Sequence, residues 1–470
     1  MNKSNKNETG NEGHGEKEKE KEKDTAIGGN VIASGGYGCV FSPALTCENE
    51  TMRKPNTISK LMTTDHADSE YEEITKYKSK LSTIPNYSKY FMIDNIYKCK
   101  PSKLMPSDTA GFDSKCRPLI KDGITTKNIN QSLDKLMLLN IPYGGVTVDE
   151  YIRSANTNQY MSTLNMHLID LLVNGICPMN RLNIYHGDIK ESNILVLHTK
   201  TEYKTRLIDW GLSCEYTPDS GQRVPNQWKN APLQFNAPFS IIIITETFID
   251  KYNAYLQNGG KVNATSLRPF VQEYMKHWFE KRGIGHYSAI NEIMYFLFSN
   301  EIRNTNDDKR KMLLVEAKYT LPYMVNYITD VLVHFTKYTR DGMFNIKPYI
   351  DKVFVQIIDV WGFIMSYNPL LEILHENYST LPPKTMKLFN LLKTIFIKYL
   401  FTPHIKPINI ASLVKDLEKI SKILDNVPLS SRKSRMKVTI RNQSSLPLPS
   451  FIKNKTRRRL SFSGMKKKKF

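Results

Sequence analysis

Three side chains on one short stretch have the types and spacing that phosphate chemistry needs. The stretch is Tyr185-His186-Gly187-Asp188-Ile189-Lys190-Glu191-Ser192-Asn193-Ile194-Leu195, with an apolar helix before it and an apolar strand after it. Asp188 supplies a carboxylate that can orient and deprotonate a hydroxyl. Lys190 supplies an ammonium that can neutralise phosphate charge, and Asn193 an amide oxygen that can bind magnesium. Sixteen residues after Asn193, Leu207-Ile208-Asp209-Trp210-Gly211 places Asp209 at the end of an apolar strand. Asp209 could hold a second face of the metal, since magnesium prefers one or two carboxylates plus phosphate oxygens. Upstream, Ala33-Ser34-Gly35-Gly36-Tyr37-Gly38-Cys39-Val40 is a Gly-rich turn between two strands. Glycines let a backbone approach phosphates closely, and consecutive N–H groups can cradle them. Twenty residues after Val40, Ile58-Ser59-Lys60 puts a lysine in a strand, and the following segment offers Glu70, Glu72 and Glu73 as ion-pair partners.

The elements that must position these groups follow from the apolar pattern. Strands are expected at Val31-Ile32, at Cys39 to Phe41 and from Ile58 to Met62, with Glu48 to Asn56 as an enlarged hairpin loop. Ile74, Tyr77 and Leu81 at helical spacing predict a helix over 67–81. Residues 98–132 are polar and contain Pro101, Pro106, Gly111 and Pro118, and read as a long loop or insertion. Leu136 to Leu139 reads as a short buried strand. From Asp149 onward the pattern is mainly helical, with Met161, Leu164, Leu168, Leu171 and Leu172 on one apolar face. The expected class is therefore α+β, a small strand-rich part followed by a large helical part.

Taken together, the motifs resemble the eukaryotic-like protein kinase superfamily, and their order agrees over residues 30–400. Gly35, Gly38 and Val40 match the glycine loop, with Gly36 inside it and Ala33 in place of the first glycine. Lys60 matches the strand lysine that contacts the α- and β-phosphates of ATP. One of Glu72 or Glu73 would be its helix partner, and Glu73 is favoured because Ile74, Tyr77 and Leu81 then face inward. His186-Gly187-Asp188 matches the catalytic-loop triplet with Asp188 as the base, Asn193 stands the required five residues on, and Asp209-Trp210-Gly211 matches the magnesium motif. Leu139 to Gly145 looks like the hinge, with Leu139 as gatekeeper and Asn140, Ile141 and Pro142 facing adenine. Asp359-Val360-Trp361-Gly362 looks like the start of the central helix of the large lobe.

The resemblance implies a bilobal fold: a small β-rich N-lobe and hinge over 28–145, and a mainly helical C-lobe over 146–427. It implies an active Ser/Thr protein kinase using ATP and Mg2+, with Mn2+ as an alternative, the serine/threonine preference resting on Lys190. The departures carry implications too. Gly187 replaces the catalytic-loop arginine, so a docking site for an activation-loop phosphate is missing and phosphorylation-gated activation is not expected. Trp210 replaces phenylalanine and enlarges the apolar plug. Asn236-Ala237-Pro238-Phe239 lacks the glutamate of the usual Ala-Pro-Glu. Pro238 to Asp359 spans 121 residues, where the family has fewer than ~20, so a helical insertion is expected over about 241–350. With Gln234-Phe235-Asn236, this set is similar to kinases encoded by large nucleocytoplasmic DNA viruses. The missing residues leave a second reading, a catalytically weak pseudokinase or scaffold.

Charge separates body from tail. Of the formal net charge of +20, residues 428–470 carry 14 Lys and Arg and no acid, and residues 1–24 carry 6 Lys against 7 acids, which leaves +7 for the body. Residues 1–27 and 428–470 read as disordered. The tail suggests contact with nucleic acid or another polyanion, and Arg457-Arg458-Arg459-Leu460-Ser461 has the form of a basophilic phosphoacceptor site. The N-terminus lacks the apolar core of a signal peptide. Uninterrupted apolar runs such as Ile241 to Ile244 are too short to span a bilayer. Six scattered cysteines without a Cys-x-x-Cys pair suggest reduced thiols rather than a disulfide framework. The expectation is a soluble intracellular protein, cytoplasmic, with nuclear or virion association as alternatives, acting on protein substrates.

Overall fold

The computed structural model describes residues 29–155 and 157–425, so both charged termini, with Ser461 and the terminal lysines, lie outside the described residues. The fold is of mixed α+β class, dominated by helix, with small antiparallel sheets. The chain divides into two compact units. Among the described residues, one holds 29–67 together with Tyr97–Ile141, and the other Asp68–Ile96 together with those from Pro142 to Asp425.

The first unit is built on a five-stranded sheet. Its strands are β1 (Asn30–Ser34), β2 (Gly38–Ser42), β3 (Thr57–Thr63), β4 (Tyr97–Cys99) and β5 (Leu136–Pro142), in the order β1-β2-β3-β5-β4. β2 pairs antiparallel with β1 and β3, and Val40 stands opposite Lys60. Val31, Cys39, Phe41 and Leu61 point from the strands into one core.

The stretch 98–132, expected to be a long loop or insertion, is folded onto that core. Phe112, Cys116, Leu119 and Ile129 are fully buried in it, and short helices run over Phe112–Lys115 and Arg117–Lys121. Asp108, almost buried, accepts from Gly29 N at 2.6 Å and pairs with Arg53 at 2.6 Å. Phe112, Cys116, Leu119 and Ile120 do stand at helical spacing, but Pro101, Pro106, Gly111 and Pro118 and the polar residues around them mask it, which is why the segment reads as a loop from sequence. The expectation of reduced thiols also fails here. Cys39 is bonded to Cys116 and Cys47 to Cys99, while Cys177 and Cys214 are free. The partners lie 77 and 52 residues apart, so no local spacing announces them.

The second unit starts with most of α1 (Thr64–Thr75), whose Ile74 is buried together with Tyr77 and Leu81 beyond its end. Phe91 bridges to Leu207 in β9 (Tyr203–Leu207), which pairs with β8 (Ile194–His198), itself paired with β6 (Val146–Thr147). β7 (Ile184–Tyr185) and β10 (Cys214–Glu215) form a two-stranded ribbon on either side of the candidate residues. The 161–172 apolar face is buried along α2 (Asn158–Asp170) and its continuation. The stretch after Pro238 is helical as expected, including α3 (Glu246–Gln257), α4 (Ala264–Arg282), α5 (Tyr287–Phe298) and α6 (Leu321–Phe335). Among the described residues one helix, Lys347–Glu376, is long and apolar enough to cross a membrane, and 83% of its apolar window is buried inside the protein. It contains Asp359 and Trp361 in mid-helix, both buried, rather than at a helix start.

Candidate functional site

Asp188 is held on both carboxylate oxygens. Oδ2 accepts from Lys190 Nζ at 2.7 Å and from Asn193 Nδ2 at 2.9 Å, and Oδ1 accepts from Asn236 Nδ2 at 2.8 Å. The Asn193 amide nitrogen also donates to Asp188 O at 2.8 Å. Three donors on opposite edges of one carboxylate remove its rotational freedom. The amide nitrogen of Asn193 is thereby committed, which leaves the amide oxygen as the atom able to face a cation.

The loop itself hangs from a buried acid. Asp359, 1% exposed, accepts from His186 N at 2.9 Å, Gly187 N at 2.8 Å and Asn180 Nδ2 at 2.7 Å. A buried carboxylate is tolerated only when its lone pairs are met in this way. Gly187 has φ +72°, and a Cβ there would stand 2.9 Å from Leu212 O. The turn needs a glycine, which gives a steric reason for the absence of the expected arginine. His186 is fully buried, and burial pushes its imidazole pKa down. The neutral ring fits its neighbours: Nε2 donates to Ile208 O at 3.1 Å and Nδ1 accepts from Asp188 N at 3.4 Å. His186 thus ties the catalytic-loop candidate to the strand end before Asp209, a supporting role.

Asp209 sits next to that loop through Ile208 N, which donates to Asn193 O at 3.0 Å. Its φ is +68°, a conformation few side chains adopt and one that Asp tolerates. Strained backbone at such a place points to function. Trp210 plugs the turn from behind, 2% exposed, against Phe91 at 5.9 Å, Tyr77 at 6.2 Å and His186 at 5.0 Å. Tyr77 also donates its hydroxyl to Ser213 O at 3.1 Å. A Cβ on Gly211 would stand 3.3 Å from Glu73 Oε2 and 3.6 Å from Asp209 Oδ1. Of the acids considered for the helix role, Glu72 is exposed and Glu70 and Glu73 are partly buried, and Glu73 is the one beside this turn.

The first unit carries the other candidates. Gly35 N donates to Gly38 O at 2.9 Å and closes the glycine turn. A Cβ on Gly38 would meet Leu61 O at 2.6 Å, so β3 itself demands that glycine. A Cβ on Gly36 would meet nothing within 4 Å, whereas one on Gly35 would be 3.7 Å from Lys60 Nζ. Lys60 therefore reaches back to the turn from β3. Leu139 is fully buried, and the side chain of Asn140 is spent inside the sheet on Ser59 Oγ at 2.6 Å and Cys99 Sγ at 3.2 Å. Any nucleotide contact at Asn140 falls to its backbone. Ile141 stays partly exposed.

Two residues escaped the sequence reading as site members. Asn236 was visible only as part of the Gln234-Phe235-Asn236 string, with no spacing to link it to Asp188 48 positions away. His286 comes from the helical stretch after Pro238. Burial lowers its pKa, the Lys190 ammonium adds to the shift and the Asp188 carboxylate opposes it, so its ring lies within electrostatic reach of both.

Among the described residues no group of three or more His, Cys, Asp or Glu could hold a metal by itself. The donors present, Asn193 Oδ1 and Asp209, fit magnesium, which uses few protein ligands and takes the remainder from phosphate and water. The open space over Gly36 and the ammonium of Lys60 beside Gly35 fit a phosphate chain. No protein-family model matches this chain, and no curated protein matches it.

Proposed function

We propose that the chain is a protein kinase of bilobal kinase fold that transfers the γ-phosphoryl group of ATP to Ser or Thr hydroxyls. The observation that carries this reading is the Asp188 carboxylate, fixed by Lys190, Asn193 and Asn236 beside a positive-φ Asp209. Few structural duties call for a carboxylate, an ammonium and an amide locked together on one loop, with the carboxylate and amide buried and the ammonium partly exposed. Transfer of a phosphoryl group calls for positioning and charge stabilisation more than covalent chemistry.

On this reading Asp188 orients the acceptor hydroxyl and takes its proton. Lys190 steadies the transferred group. Asn193 and Asp209 hold magnesium, which when bound neutralises developing charge on the phosphates. Lys60 positions the α- and β-phosphates, and Glu73, beside the Asp209–Gly211 turn, keeps the role the resemblance gives the helix glutamate. Gly35, Gly36, Gly38 and Val40 cover the nucleotide, with Leu139 and the backbone of Asn140 and Ile141 at its base. The acceptor is then a hydroxyl on a protein.

The test is label transfer from [γ-32P]ATP to basic and acidic test proteins in Mg2+, followed by phosphoamino-acid analysis. Labelled phosphoserine or phosphothreonine is expected. Melting stabilised by Mg-ATP with no label on any protein would instead favour the weakly catalytic scaffold.

A further inference from the structure

The segment that presents Asn236 to Asp188 is pinned by contacts from the helical insertion and the central helix that involve no phosphate. Asn236 is 1% exposed and clamps two points of the catalytic loop, donating to Asp188 Oδ1 at 2.8 Å and Ile189 O at 3.2 Å. Three backbone carbonyls just before it are caught in turn. Asn230 O accepts from Arg282 at 3.4 Å, Leu233 O from His286 N at 2.9 Å, and Phe235 O from Trp361 Nε1 at 3.0 Å. The His286 ring also lies against Phe235, with centroids 5.4 Å apart. The turn that delivers His286 needs Gly285, which has φ +52° and would place a Cβ 2.5 Å from Leu233 O.

A phosphorylated segment is ordinarily fixed by a new ion pair with arginine. Here the residue next to His186 is Gly187, and sterics exclude a side chain there. The anchoring is supplied instead by groups that are always present.

We infer that Asn236 is a positioning residue for Asp188, held by the Gly285–His286 turn of the insertion, so that the segment is set for transfer without being phosphorylated. This rests on the kinase reading and assigns the insertion a task within it. Loss of the Asn236 donor frees one edge of the carboxylate, and small misplacements of a reacting group cost up to about 100-fold in rate.

The experiment measures steady-state transfer by the full chain to a basic test protein, with melting curves on every variant. Asn236→Leu keeps the size, adds no charge and loses the donor. It is expected to lower kcat about 10–100-fold with the KM for ATP unchanged. Asn236→Thr, which keeps a donor, should recover most of that loss, a rescue that a purely structural role would not show. Gly285→Val should lower kcat in the same way, and phosphatase treatment of the wild type should leave kcat unaltered. Wild-type kcat in Asn236→Leu, or activity abolished by phosphatase, overturns the inference while the kinase reading stands. A wild type that transfers nothing, as Asp188→Asn is expected to do, overturns both.

Discussion

The loop around Asp188 and the turn around Gly36 are both assigned to phosphate, and they are built in opposite ways. Asp188 is immobilised by side-chain bonds at both oxygens, and the backbone before it hangs from buried Asp359. The glycine turn is closed by the Gly35 N to Gly38 O bond, and its tip at Gly36 faces open space. On the proposed kinase reading, the difference matches what each would do. A group that moves a proton gains from fixed geometry, whereas a backbone that wraps phosphates must leave room and be free to settle on them.

The comparison breaks if the fixed loop tolerates change and the open turn does not. Beyond Asp188 itself, the largest effect is expected at Asp209. Asp209→Ala should reduce transfer by roughly 1,000-fold, as for loss of a key electrostatic group, and should remove the magnesium dependence of ATP stabilisation. Retained magnesium dependence in a melting assay would contradict the assignment.

Next is the disulfide beside the glycine turn. Replacing Cys39 and Cys116 by Ser should lower the protection of β2 and β3 in native-state hydrogen exchange by about 2–4 kcal/mol. Residues 185–215, in the other unit, should keep theirs. A uniform loss across both would show that the two regions are not independently supported.

The glycines sharpen the contrast within the turn. Gly38→Ala forces a Cβ against Leu61 O and should cost about 1–3 kcal/mol of stability through displaced backbone. Gly36→Ala should leave stability alone and weaken nucleotide binding. Equal melting losses in the two would mean that Gly36 is also needed by the fold.

The smallest effect concerns Glu191, whose Oε2 is buried without a partner and whose pKa is pushed by burial up to about 7. The folded state then holds this proton more tightly than the unfolded chain. Stability is unaffected below the ordinary glutamate range and falls as pH rises from there to about 7. Glu191→Gln should therefore match wild type in melting temperature at pH 4 and exceed it at pH 8. An equal difference at both pH values would contradict a buried neutral acid.

What the sequence disclosed and what it withheld divide along contact range. Asp188, Lys190 and Asn193 fall within six residues, and their mutual bonds follow from that spacing. β2, β3 and the turn between β1 and β2 announce themselves through alternating apolar residues and glycines. The α+β class follows from strands first and helices after. Contacts over long separations left no local trace. The Cys39–Cys116 and Cys47–Cys99 bonds, the packing of 98–132 onto the sheet core, and the reach of Asn236 to Asp188 all join residues about 50 or more positions apart. Gly187 was legible as a departure, but its cause, the closeness of Leu212 O, is a tertiary fact.

The central claim is that the doubly held Asp188 is the base for phosphoryl transfer. It is tested most directly by single-turnover transfer with wild type and Asp188→Asn, with Mg-ATP affinity measured on the same preparations. Asn keeps the size and removes the proton acceptor. The account predicts a fall of about 1,000-fold or more in the transfer rate with nucleotide affinity unchanged. Equal rates in the two proteins would contradict it.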